Sequence, residues 1–168
     1  EQLNAFIDIS HMVFLLSKFD DFYHAEYRSL MLKKLGFEEL LSPEAEELLK
    51  ATIEFLKHYP ISYHHFFADM ASSFSSKWRD SASVILSDSE IGQSLGASEL
   101  FVNWSGIYHR LLTNLTTDEM EKVGQCLTRH NPKTVLLRPV IESIWEPITQ
   151  EDNWQPFYDL VGKIQTGG

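Results

Sequence analysis

A single cysteine, Cys126, means that no internal disulfide staples this chain, and that scarcity agrees with a reducing compartment. Positive charge is also sparse. Fourteen Lys and Arg stand against 24 Asp and Glu, a formal charge of -10. Such a balance repels phosphate backbones unless the cations cluster, and here they are scattered, which argues against a nucleic-acid partner. No apolar run approaches the ~20 residues a membrane-spanning helix needs, so no membrane partner is expected. No signal-peptide pattern follows Glu1, and the lack of an initiator Met is read as a cut or engineered N-terminus. The expected setting is intracellular and cytoplasmic, or mitochondrial in a eukaryote. Self-contained catalytic motifs are missing too. Gly92-Gln93-Ser94-Leu95-Gly96 has the wrong spacing for a phosphate loop and lacks its lysine, and no H-E-x-x-H pair or His-Asp dyad occurs. Nor does any segment of strand length alternate between apolar and polar residues.

What remains is helical periodicity in a chain of ordinary globular composition. Phe6, Ile9, Val13, Leu16 and Phe19 recur at spacings of three and four, and a second helix is expected from about Asp20 to Leu35, with Tyr23, Tyr27, Leu30, Met31 and Leu35 inward. Gly36 stands where a helix C-cap wants a residue free to take positive φ. Ser42-Pro43-Glu44 reads as N-cap, first-turn proline and dipole-matched acid, opening a helix through Leu48, Leu49, Ile53 and Leu56 that stops before Pro60. Ser62 opens another, carrying Phe66, Phe67, Met70 and Phe74. Residues 72–98, rich in Ser and holding two glycines, read as a long loop with at most one short helix. Helices follow through Leu100 to Leu112, from the capping-box pair Thr116 and Glu119 to Leu127, and from Asn131-Pro132 through Val135, Leu136, Val140, Ile141, Ile144 and Ile148. Pro139 should kink that helix. A last helix holds Trp154, Phe157, Leu160, Val161 and Ile164. The expected fold is all-α: an irregular bundle of about seven or eight helices forming one domain over residues 1–168. Within it, Asn131 should cap a helix that buries Val135, Leu136 and Ile144 against the Trp104–Leu112 helix.

Each cluster of reactive residue types has a plainer explanation. Asp20, Asp21, His24 and Glu26 suggest a magnesium-binding acid motif, but a histidine stands where an acid is wanted, no second acidic helix exists, and magnesium prefers oxygen. His58, His64 and His65 suggest zinc, yet adjacent residues point ~100° apart on a helix. Cys126 has His130 at i+4, though a lone cysteine on an apolar face is more often packing. Lys33 and Lys34 suit a helix C-terminus. Asn103-Trp104-Ser105 and Asn114-Leu115-Thr116 match the glycosylation pattern, which is short enough to arise by chance. No catalytic, cofactor-binding or metal residue is assigned.

One ordered set of residues says more. Asn131-Pro132-Lys133-x-Val135-Leu136 resembles the N-P-K-x-V-L-R motif of the selenoprotein O (SelO or YdiU) family. Tyr27, Met31, Lys34, Leu35 and Gly36 match its Y-x-x-x-M-x-x-K-L-G helix, and Tyr63-His64-His65-Phe66-Phe67 is similar to its aromatic segment. Residues 153 to 164 resemble its closing helix. Leu137 stands where the family has its motif arginine, with Arg138 one place later and Pro139 beyond, and no cysteine follows Cys126. The resemblance implies the C-terminal helical part of a kinase-like protein adenylyltransferase that moves AMP from ATP to protein hydroxyls. It further implies a kinase-like N-terminal lobe or a protein substrate as partner, with ATP and magnesium serving the full-length protein and held outside this chain. The alternative is an unrelated stand-alone module for protein–protein interaction. A third reading is a small metal enzyme using Asp20, Asp21 and His24.

Overall fold

In a computed structural model, which describes residues 9–38, 40, 42–132 and 135–165, every regular element is helical. The first surprise is length. Instead of two helices, α1 runs unbroken over Ile9–Lys34, because no glycine or proline separates the two apolar periods. Its C-terminal end is anchored: Met31, Leu32 and Leu35 are buried. The rest stands out from the core, and Val13, Leu16, Phe19, Tyr23, Tyr27 and Leu30 are exposed, Phe19 at 64%. Phe6 lies outside the described residues.

α2 (Pro43–His58) and α3 (Tyr63–Ser73) match the expected starts, and the Ser62 side chain accepts from His65 N. Residues 72–98 depart from expectation. They form a 3-10 turn (Ser76–Arg79), α4 (Ala82–Asp88) and α5 (Glu90–Leu95), not a loop. Here the serines are caps. Ser75, Ser81 and Ser89 each accept from a backbone N–H of the element they open, and Ser98 does so for α6 (Glu99–Leu112). Trp78, Ile85 and Ile91 from this stretch are buried in the main core. Short helices of low propensity are held by tertiary packing, which no local period reveals.

α6 is the central strut, packed against α2, α4 and the 3-10 turn. Phe101, Trp104 and Tyr108 fall on one face at i, i+3 and i+7. Their rings stack at 5.4 and 5.2 Å, while Phe55 and Phe66 close on them from α2 and α3. The polar atoms that Trp104 and Tyr108 carry inside have partners. Trp104 Nε1 donates to Thr52 Oγ1 at 3.0 Å, and Thr52 donates on to Leu48 O at 2.7 Å. α7 (Thr117–His130) begins with the expected capping box and lies against α1 and α3.

The end of the chain corrects the sequence reading most. Asn131 is the C-cap of α7 rather than an N-cap, and α8 starts only at Arg138, covering Arg138–Glu151. Pro139 therefore sits in its first turn, where a missing N–H is harmless, and gives no mid-helix kink; the interior proline is Pro147. Leu136 is 54% exposed instead of buried, and Val135 and Ile144 are half-buried. α9 (Gln155–Gln165) packs back on α8, and neither helix buries a residue fully. Trp145 is 65% exposed, with Leu137, Ile141, Phe157 and Tyr158 also open to solvent. No helix among the described residues is long and apolar enough to cross a membrane.

Candidate functional site

The C-terminal ends of α1 and α7 meet, and the residues singled out by sequence meet there too. Lys34, the lysine of the Met31-x-x-Lys34-Leu35-Gly36 pattern, is half-buried. Its Nζ donates to His130 O at 3.0 Å and to Asn131 Oδ1 at 3.2 Å. Asn131 returns the contact, its Nδ2 donating to Lys34 O at 2.8 Å. The ammonium also lies 5.2 Å from the Phe67 ring centre and 5.6 Å from that of Tyr63. Tyr63 in turn donates to Met31 Sδ at 3.2 Å. Three motifs separated by up to a hundred residues of chain thus close into one knot.

Backbone geometry explains the glycine. Gly36 takes φ +93, so the chain leaves α1 through a left-handed residue, with Phe37 N donating back to Leu32 O at 2.9 Å. A Cβ at Gly36 would sit 2.8 Å from Val123 Cγ1 and 3.1 Å from Leu127 Cγ. Only glycine lets α7 come this close. The Leu35 carbonyl, one of the last in the turn, accepts from Tyr108 OH at 2.9 Å. Lys34 does more than complement a helix dipole: burial lowers its pKa from the ordinary lysine value. A partly desolvated ammonium held by a carbonyl, an amide oxygen and two rings fastens helix ends together.

The other candidates are scattered. Asp20 Oδ1 and His24 Nε2 face each other at 3.4 Å on the exposed side of α1, with no second acidic helix beside them. His65 pairs with Glu90 at 3.6 Å, while His58 lies against Tyr59. Among the described residues, no three His, Cys, Asp or Glu side chains gather as a metal would require. Cys126 is buried, its Sγ 3.3 Å from Lys33 O and 3.6 Å from His130 Nδ1. That nitrogen also lies 3.0 Å from Cys126 O. A carbonyl can only accept, so Nδ1 carries the proton and cannot take one from the thiol. Burial, and then the nearby Glu38 charge, push the thiol pKa up, away from a thiolate. Lys133 lies outside the described residues, and Arg138 forms an exposed i, i+4 pair with Glu142.

Sequence reading missed one buried carboxylate. Asp69 on α3 accepts from Glu90 N at 3.0 Å and Ile91 N at 3.1 Å, the first N–H groups of α5, and from Ser73 Oγ at 2.8 Å. Its only advance signal was an acid on the apolar face between Phe66 and Met70.

The described residues form an all-α body whose motif residues join helix ends, with one long helix projecting from it. A family model described as protein adenylyltransferase SelO matches residues 1–165. The chain belongs to that family. It is 54% identical over 166 residues to a protein nucleotidyltransferase YdiU of Trichormus variabilis, covering 99% of this chain and 34% of that protein. It is 45% identical to one of the same name from Trichodesmium erythraeum, covering 98% and 33%, and 42% identical to one from Gloeobacter violaceus, covering 97% and 33%. The chain therefore spans about a third of the length of these curated relatives. No solved structure gives a significant match. Family membership sets aside the module unrelated to SelO.

Proposed function

We propose that these 168 residues form the C-terminal helical domain of a SelO-type protein adenylyltransferase, and that this domain supports a kinase-like lobe without contributing a catalytic group. The observation that carries this reading is the family match over residues 1–165, in a chain spanning only a third of its relatives. In the whole protein a hydroxyl oxygen of a protein substrate gives up its proton to solvent and bonds to the α-phosphorus of ATP. The bond to the β-phosphate breaks, AMP stays on the protein and pyrophosphate leaves. Such chemistry needs a phosphate cradle and metal-binding acids. Among the described residues no acid cluster of that kind occurs. The chain's part is mechanical: the knot at Lys34 and Asn131 sets the direction in which α1 leaves the core.

The test is transfer of label from α-phosphate-labelled ATP to protein, measured for the isolated chain and for the longer polypeptide that carries it. Transfer by the longer polypeptide alone is expected. Transfer by the isolated chain, or by neither, would refute the proposal.

A further inference from the structure

α1 carries a second message. Met12, Leu16, Phe19, Tyr23, Tyr27 and Leu30 all lie on one side of the helix, and all are exposed. At a rise of 1.5 Å per residue, this stripe is ~27 Å long. Its rings are already ordered against each other: Phe19 stacks on Tyr23 at 6.4 Å and Tyr23 on Tyr27 at 6.2 Å. Soluble surfaces rarely leave so continuous an apolar patch open. Pre-stacked aromatics with a polar tip lose little side-chain entropy on docking, which suits an interface.

We propose that this stripe is the seam against which the remaining two thirds of the same polypeptide packs, its occupant being an apolar face of the kinase-like lobe. Two observations choose that occupant over a second copy of the chain. The relatives carry about twice this chain's length beyond the matched third, and covalent linkage presents that length at an effective concentration near millimolar. A net charge of -10 also opposes the close approach of two copies. Anchoring supplies the mechanism. Because α1 is clamped at Lys34, the stripe reaches the lobe in a fixed direction. This inference rests on the function proposed above.

Tyr23→Glu and Leu16→Glu test it, since both side chains are exposed in the isolated chain. There, far-ultraviolet dichroism and the melting temperature should be unchanged, and sedimentation should show a monomer at micromolar concentration. In the longer polypeptide, amides of residues 12–30 should exchange at least tenfold more slowly than in the isolated chain. Either substitution should remove that protection and lower AMP transfer at least tenfold. A micromolar dimer of the isolated chain abolished by Tyr23→Glu would overturn the proposal in favour of a second copy. Unchanged exchange in a longer polypeptide that still transfers AMP would overturn the seam and leave the functional reading standing. Protection without AMP transfer would support the seam and refute the activity.

Discussion

Replacing Asn131 by alanine removes both halves of its clasp on Lys34. The bond from Nδ2 to the Lys34 carbonyl, at 2.8 Å, joins neutral groups and contributes about 0.5–1.5 kcal/mol. The bond that Oδ1 accepts from the ammonium, at 3.2 Å, is charge-assisted and contributes about 1.5–3 kcal/mol. Lys34 is only half-buried, so water can replace part of what is lost. A net loss of roughly 2–4 kcal/mol follows, or on the order of 5–15 °C in melting temperature for a chain of this size. Lys34→Met keeps the aliphatic stem over Phe67 but deletes the ammonium, which recovers its desolvation cost. That change should lose less, roughly 1–2 kcal/mol. Because one hydrogen bond is common to both variants, the double variant should fall short of the sum by about 1 kcal/mol or more. Urea denaturation followed by far-ultraviolet dichroism measures all four corners of the cycle. A loss below about 0.5 kcal/mol for Asn131→Ala, or additivity within that margin, would refute the clasp as a stabilising element.

Asp69→Ala should cost roughly 2–4 kcal/mol in the same denaturation assay, because it strands the buried N–H of Ile91 and the part-buried N–H of Glu90; a neutral result would show that α5 does not depend on the carboxylate. Gly36→Ala should cost roughly 2–4 kcal/mol, from the left-handed backbone and from a Cβ placed 2.8 Å from Val123. A stabilised variant would mean that the turn relaxes freely. Stability should also decline in alkali. Burial keeps the Cys126 thiol and the Tyr108 hydroxyl protonated above their ordinary values of 9.0 and 10.0, and Tyr63 behaves likewise. Above those values the unfolded chain has released protons that the fold still holds, so unfolding is favoured as pH rises. Lys34, lowered by burial, works in the opposite direction below its ordinary 10.5 and softens the onset. Tyr108→Phe should therefore flatten the decline above pH 10 in pH-dependent melts; an unchanged slope would refute that assignment.

Elements with local chemistry were legible from residues alone. Ser62, the Thr116–Glu119 capping box and Gly36 act where expected, since caps and positive-φ turns need only neighbouring backbone. Among the core residues, Leu48, Phe66, Phe67, Trp104, Tyr108 and Leu127 lie on the apolar stripes their spacing announced. The ordered resemblance also reached the right family. The serines of 72–98 are ambiguous in sequence because the same side chain that marks a loop also caps a short helix, and only Trp78, Ile85 and Ile91 entering the core decide between the two.

Sequence by itself determined the helical class, most helix starts and the motif residues, all of which follow from neighbours within one or two turns of chain. Tertiary structure alone decided what Asn131 does. An asparagine before a proline suits an N-cap in local terms, but a Lys34 carbonyl and ammonium nearly a hundred residues away supply better partners, so the residue closes α7 and defers α8 to Arg138. The same holds for α1. Periodicity shows that Phe19, Tyr23 and Tyr27 share a side, whereas exposure depends on whether another surface covers it, and no spacing of residues within one helix records that.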